Sequence, residues 1–150
     1  MRRAAFRWVP GYDPAMSHAS PLEAEAAVLA HLRTMDGGGV VALSGGADSA
    51  LLLSLAAEAW GPEACLAVTS RSESLPVEEL EAARAQAAAV GVEHVRLRGS
   101  EVDIEAFRRN GPDRCFHCKD HLYGEMRKLA DARGLAHVID GTNADDAVSY

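Results

Sequence analysis

The sequence has few aromatic residues, few cysteines and no long apolar run. Aromatic side chains make up only 5% of its 150 residues, so the core must rest on Leu, Val, Ala and close helix packing. No segment approaches the roughly 18 uninterrupted apolar residues of a membrane-spanning helix, so no membrane segment is predicted. The arginines near the N-terminus are not followed by an apolar segment. A secretory signal is therefore not predicted, and a cytoplasmic location is expected.

The overall composition is that of an ordinary globular domain. Apolar residues make up 48% and charged residues 25%, which excludes a disordered tail, a collagen-like fibre and a disulfide-stapled mini-protein. The formal net charge is −7, and because nucleic-acid-binding proteins usually carry a net basic surface, no nucleic-acid partner is expected. The cysteine count of three is odd, so the cysteines are expected to be reduced and available for metal binding or catalysis.

Strands and helices are predicted to alternate along the chain. Residues 1–19 show little periodicity and are expected to form a loose N-terminal arm, while residues 20–150 form one domain. A capping box with proline at the first helical position, Ser20–Glu23, opens the first helix. Helices are predicted at about 22–33, 49–60, 76–90 and 114–133, and strands at 40–43, 65–69, 92–97 and 136–140. This alternation predicts an α/β fold with a doubly wound parallel sheet of about four strands.

A glycine-rich turn, SGGADS at residues 44–49, lies between the first predicted strand and a helix. This arrangement directs backbone N–H groups and a helix dipole at an anion, so the turn is predicted to bind phosphate. Gly45 and Gly46 permit close approach of phosphate, and the hydroxyls of Ser44 and Ser49 can donate hydrogen bonds to it. Asp48 would repel phosphates, which predicts bridging Mg²⁺ or a carboxylate turned onto loop N–H groups. The alternative is a glycine-rich turn with a capping aspartate.

A second polar segment, Asp140–Asp146, follows the fourth predicted strand. Ligands of open parallel sheets bind at the carboxyl ends of the strands, where the glycine-rich turn also lies, so both segments should face one pocket. Asn143 is expected to hydrogen-bond nucleotide or substrate, and one of the last two aspartates could hold Mg²⁺. Leu66–Thr69, at the end of the second predicted strand, lies at the same edge, and Thr69 is expected to be a binding residue there. The alternative is an acidic turn without a ligand.

Two cysteines lie at the start of the fourth predicted helix. Cys115 and Cys118 are one turn apart, where the helix N-terminus and neighbouring basic side chains should lower the pKa of both thiols. Such a thiolate pair is a nucleophile or a soft ligand for iron or zinc. Only His117 or His121 lie near enough in sequence to add to a zinc site. The alternative is a pair of core cysteines, as expected for Cys65 within the second strand.

The SGGADS turn resembles the SGGxDS signature of the PP-loop ATP pyrophosphatases, which cleave ATP between the α and β phosphates to adenylate a substrate. The three motifs in this order resemble one branch of that superfamily, the LarE-type ATP-dependent sacrificial sulfur transferases. The resemblance runs from about Leu22 to Ala147. It implies ATP and Mg²⁺ as cofactors and the carboxylates of a pyridinium biscarboxylic acid mononucleotide as substrate. Adenylation and sulfur insertion then contribute to a nickel-pincer cofactor.

The resemblance also implies an iron–sulfur cluster, because family versions that carry C-x-x-C resemble the cluster type with a third cysteine further along the chain. Family members continue well past the position of Tyr150, into a part that carries the sulfur-donating cysteine or the third cluster ligand. This chain is therefore expected to supply the ATP-binding part. A C-terminal segment, a separate polypeptide or another subunit of a homo-oligomer would complete the site, and no catalytic residue is assigned within the sequence.

Two other functions are consistent with these motifs. The tRNA thiolases of the PP-loop class also combine SGGxDS with C-x-x-C, but the acidic net charge and the lack of a basic or aromatic run weigh against them. A non-catalytic remnant that binds ATP or a metal is the second alternative. Conversion of ATP to AMP and pyrophosphate would separate both enzymes from such a remnant.

Overall fold

The structure is a computed structural model that describes residues 20–71, 76–98 and 114–142, and the predicted arm at residues 1–19 lies outside them. Within these ranges the helices and strands agree with the predicted ones to within two residues. In chain order they are α1 (Pro21–Arg33), β1 (Gly39–Ala42), α2 (Ala47–Trp60), β2 (Cys65–Arg71), α3 (Val77–Val90), β3 (Glu93–Arg98), α4 (Arg114–Arg133) and β4 (His137–Ile139). A short 3₁₀ turn at Pro62–Ala64 leads into β2.

The first helix begins at the predicted capping box. The Ser20 hydroxyl accepts a hydrogen bond from the Glu23 backbone N–H at 3.4 Å, and the Glu23 carboxylate accepts one from the Ser20 N–H at 2.7 Å. Two N–H groups that the first helical turn leaves without intrahelical partners are satisfied in this way. Pro21 follows at the first helical position, where its missing N–H has no cost.

The four strands form one parallel sheet in the order β3-β2-β1-β4. Gly39 of β1 pairs with Cys65 of β2 on one side and with His137 of β4 on the other. The chain therefore extends the sheet outward from β1 through β2 and β3, and later returns to place β4 on the opposite side of β1. This confirms the predicted doubly wound sheet, and it creates a strand-order reversal between β1 and β4, where such sheets bind ligands.

Helices cover both faces of the sheet. On one face, Val41 packs in a cluster with side chains from α1, α2 and α3, among them Leu53. On the other face, Val40 packs with Leu66 and with Met126 of α4. Both valines are fully buried, as expected for a central strand without polar alternation. The helices hold β1 rigidly, and the turn at its carboxyl end begins from a fixed point.

Candidate functional site

The glycine-rich turn leaves the sheet at the carboxyl end of β1 and enters α2 directly. The Leu43 N–H donates to the Val68 carbonyl oxygen at 2.8 Å, so pairing with β2 continues to the residue before the turn. Gly46 is the N-cap of α2, and as a glycine it has no side chain with which to cap the N–H groups of the first turn. These groups and the helix dipole favour an anion at this position.

A closed ring of hydrogen bonds fixes the shape of the turn. The Gly46 N–H donates to Ser44 Oγ at 3.2 Å, and the Ser49 hydroxyl donates to the Gly46 carbonyl oxygen at 3.1 Å. The two serine hydroxyls lie 3.1 Å apart, and because the hydrogen of Ser49 is already used, Ser44 is the donor of that bond. Ser49 Oγ also accepts from the Ser44 N–H at 3.2 Å. A phosphate that takes the hydrogen of Ser44 therefore replaces its bond to Ser49.

The third helix holds the turn from one side at Gly45. This residue has φ of +92°, and a Cβ on it would lie 2.5 Å from the Glu79 carbonyl oxygen, so both backbone conformation and space require glycine. The Gln86 side-chain amide donates to the Gly45 carbonyl oxygen at 2.8 Å. Nothing in the sequence pattern pointed to Gln86, because it lies 41 residues from Gly45 and belongs to no motif.

The segment after β4 contacts the same turn, as expected from the shared edge of the sheet. A Cβ on Gly141 would lie 3.0 Å from the Ser49 backbone nitrogen and 3.1 Å from the Asp48 carbonyl carbon. The Asp140 carboxylate accepts from the Thr142 N–H at 2.9 Å and from the Tyr123 hydroxyl. Asp140 is thus oriented by its own turn and by α4. The predicted binding residue Asn143 and the two aspartates after it lie outside the described residues.

Thr69 lies beside the turn, but its side chain bonds to protein groups. It is 2% exposed, and its hydroxyl donates to the Leu43 carbonyl oxygen at 2.6 Å. His94 Nε2 lies 2.8 Å from Thr69 Oγ1, and because the Thr69 hydroxyl hydrogen is already used, the His94 Nε2–H is the donor of that bond. Burial, followed by the charges of Arg96 and Arg84, lowers the pKa of His94. A neutral His94 therefore orients the Thr69 hydroxyl, and this hydroxyl in turn bonds to Leu43, the residue before the turn.

The carboxylate of Asp48 lies in the first turn of α2, at the exposed side of the loop together with Ser44 and Gly46. In the part of the chain that the structure describes, no group of three or more His, Cys, Asp or Glu side chains could hold a metal ion. A divalent cation at this edge would therefore need ligands beyond these side chains, and nucleotide phosphates are the usual ones for Mg²⁺.

The cysteines differ in their surroundings. Cys65 is 5% exposed in the core, where burial and then the charge of Glu63 raise the pKa of its thiol to about 11. It is protonated and unreactive at neutral pH, in agreement with a structural role. Cys115 and Cys118 lie at the start of α4, and their side chains are not among those that the structure describes.

Among the described helices, none is both long and apolar enough to cross a membrane.

The chain is similar in sequence to a known protein family and to two longer proteins. The family model described as asparagine synthase matches residues 24–125. The uncharacterized protein slr1717 of Synechocystis sp. is 40% identical over 111 residues, 74% of this chain and 41% of that protein. The pyridinium-3,5-bisthiocarboxylic acid mononucleotide synthase of Lactiplantibacillus plantarum is 31% identical over 113 residues, 73% of this chain and 40% of the enzyme. The chain thus spans about two fifths of the length of these relatives.

Among solved structures, the glutamine-dependent NAD⁺ synthetase from Acinetobacter baumannii in complex with ADP superposes with a TM-score of 0.66. The alignment covers 85% of this chain and 27% of the synthetase at 21% identity. At that identity the likeness establishes the fold, a parallel α/β domain of the kind described above, and leaves the substrate open.

Proposed function

The chain belongs to the asparagine synthase family of the PP-loop superfamily, and on that premise we propose that it is the ATP-binding part of an enzyme that adenylates a carboxylate. The observation that carries this proposal is the N-terminus of α2, which begins at an N-cap glycine, Gly46, beside Ser44 at the exposed carboxyl edge of the sheet. Backbone N–H groups and a helix dipole at such an edge favour phosphate binding. The NAD⁺ synthetase of the same fold, which was solved with ADP, is consistent with a nucleotide there.

The proposed reaction places the triphosphate on the Ser44–Ser49 turn. A carboxylate oxygen of the substrate attacks the α-phosphorus of ATP, the bond from that phosphorus to the bridging oxygen breaks, and pyrophosphate leaves with the bonding electrons. Negative charge accumulates on the leaving group and on the α-phosphate oxygens. The N–H groups and dipole of α2 would stabilise this charge without reorganisation, since Val41 and Leu53 hold β1 and α2 in a packed core.

Asp48 would serve as a ligand of Mg²⁺ that also contacts the phosphates. A carboxylate in the first turn of α2 opposes the anion beside it unless a cation lies between them. Mg²⁺ commonly binds through one or two carboxylates and the phosphates of its substrate, which suits the single aspartate at this position. The proposal predicts that Asp48→Asn reduces Mg²⁺-dependent turnover more than it reduces nucleotide binding.

The substrate that we propose is a small carboxylate of the pyridinium mononucleotide type, followed by sulfur insertion. The support is the 31% identity to the Lactiplantibacillus plantarum synthase, together with the C-x-x-C pair at the start of α4. Because the chain spans 40% of that enzyme, a further segment or a partner subunit would complete the sulfur-transfer site. The adenine would lie near Leu66–Thr69, and Asn143 would contact nucleotide or substrate.

The proposed function is tested by nucleotide binding and by product analysis. Calorimetry should detect ATP binding by the wild-type chain in the presence of Mg²⁺ and a large loss in the double variant Ser44→Ala with Gly46→Val. Gly124→Ala is the matched control, since Gly124 lies in α4 with nothing within 4 Å of the added methyl group. Equal affinities of the double variant and the wild type would place the nucleotide elsewhere. Release of AMP and pyrophosphate, absent from a non-catalytic remnant, tests the enzymatic part in a protein of the relatives' length.

A further inference from the structure

We propose that Gln86 is a positioning residue that keeps the Gly45–Gly46 peptide in the orientation able to bind phosphate, an inference that rests on the proposed ATP site. The Gln86 amide donates to the Gly45 carbonyl oxygen at 2.8 Å and directs that oxygen toward α3. In a trans peptide the C=O and N–H bonds point in opposite directions. The Gly46 N–H therefore points away from α3. It donates to Ser44 Oγ, on the other side of the peptide, at 3.2 Å.

Without the Gln86 bond, the 3.2 Å bond from the Gly46 N–H to Ser44 Oγ would be left to fix the orientation of this peptide. The residues on both sides of it are glycines, so no Cβ opposes rotation of the peptide plane. Rotation by half a turn would direct the Gly45 carbonyl oxygen to the side where Gly46 now presents its N–H. Ser44 Oγ would then lose the N–H that it accepts from, and a carbonyl oxygen with a partial negative charge would lie on that side of the loop, where it repels a phosphate.

A second observation argues that Gln86 is not present for stability. Its Oε1 is buried and has no hydrogen-bond partner among the described residues, so the amide contributes one bond there and leaves one acceptor unsatisfied. An apolar side chain of the same length would lose the bond to Gly45 but would also remove the unsatisfied acceptor. The free energies of unfolding of the wild type and such a variant should therefore be similar. The contribution of the Gln86 amide is then to orient the Gly45–Gly46 peptide.

The third helix also limits where the loop can move. A Cβ on Gly45 would lie 2.5 Å from the Glu79 carbonyl oxygen, so the loop backbone rests directly on the α3 backbone. Glu79 and Gln86 lie two helical turns apart, with the fully buried Ala83 between them, and thus belong to one face of α3. On this face of α3, the Glu79 backbone contacts Gly45, and the Gln86 side chain two turns later orients the Gly45 carbonyl group.

Gln86→Met removes the donor and keeps the length of the side chain. We expect ATP affinity to fall about tenfold, equivalent to about 1.4 kcal/mol. The melting temperature should stay within about 3 °C of the wild type. The amide ¹H–¹⁵N signals of Gly45 and Gly46 should shift and broaden, because the peptide then exchanges between two orientations. The control is Glu81→Met, an exposed position on the same helix, for which neither affinity nor these signals should change.

A wild-type affinity in Gln86→Met, with an unshifted Gly46 signal, would overturn the inference and leave the proposed function intact. If wild type itself binds no ATP, the proposed function fails and the inference fails with it. If Gln86→Met does not fold, Gln86→Leu replaces it, because leucine also lacks the hydrogen-bond donor and adds no charge beside the loop. Loss of ATP affinity in that variant supports a positioning role, and retention of affinity excludes it.

Discussion

Gly141 lies directly against the backbone of Ser49, since a Cβ on Gly141 would be 3.0 Å from the Ser49 nitrogen. The contact joins the segment after β4 to the first turn of α2, two parts of the chain that are distant in sequence. It brings the turn that begins at Asp140 to the edge where the N–H groups at the start of α2 lie. The two motifs that sequence analysis assigned to one pocket therefore touch through backbone atoms.

The first prediction concerns this contact. Gly141→Ala should destabilise the protein by roughly 1–3 kcal/mol, because the new methyl group meets backbone that cannot move without shifting α2. ATP affinity should fall as well, since the same shift displaces the N–H groups of the turn. Gly124→Ala, in open space within α4, should instead stabilise the fold by about 0.5–1 kcal/mol. Urea unfolding and calorimetry measure both effects, and equal behaviour of the two variants would contradict the assigned contact.

The second prediction concerns the ring of hydrogen bonds. Ser49→Ala removes the acceptor of the Ser44 N–H and the donor to the Gly46 carbonyl oxygen. It should cost about 1–3 kcal/mol of unfolding free energy, the usual effect of leaving a buried polar group unpaired. Ser54→Ala is the control on the same helix, because its hydroxyl is exposed and donates to the Ala50 carbonyl oxygen of its own helix. We expect a change within about 0.5 kcal/mol there.

The third prediction concerns the pH dependence of stability. Burial and two nearby arginines lower the pKa of His94 in the folded state below the value of about 6.5 that it has in an unfolded chain. On acidification the unfolded state gains the proton first. Stability is therefore fully present above about pH 6.5 and is lost as the pH falls through the folded-state pKa. Denaturant unfolding of His94→Gln should show a smaller loss on acidification, and a slope equal to wild type would contradict this.

The fourth prediction concerns the cysteine pair at the start of α4. Cys115 and Cys118 lie at i and i+3, the spacing at which two thiolates can bind one metal. Anaerobic reconstitution with iron and sulfide, in a protein of the relatives' length, should give visible absorbance that Cys115→Ala removes. Cys65→Ala should keep the absorbance, because burial raises the pKa of that thiol to about 11 and it binds no metal in the core. If neither iron nor zinc binds, the pair is structural.

Several features of the site followed from local patterns in the sequence. The capping box, the uninterrupted apolar strand before Ser44 and the glycines of the turn each act over a few residues. The local structure that these patterns produce therefore does not depend on how the rest of the chain packs. The strand–turn–helix arrangement and the parallel sheet were predictable for this reason, and so was the shared edge of the sheet that brings Gly141 near Ser49.

Other features depend on which side chains meet across the packed sheet. The Gln86 bond to Gly45, the Ser44–Ser49 ring and the His94–Thr69 contact join groups whose distance depends on sheet register and on helix packing. Periodicity shows which face of an element is buried, but it does not show which polar groups face each other there. The sequence by itself determined the α/β architecture and the place of the Ser44–Ser49 turn between β1 and α2. Only the tertiary structure decided which distant residues hold that turn in shape, because hydrogen bonds require positions to within a few tenths of an ångström.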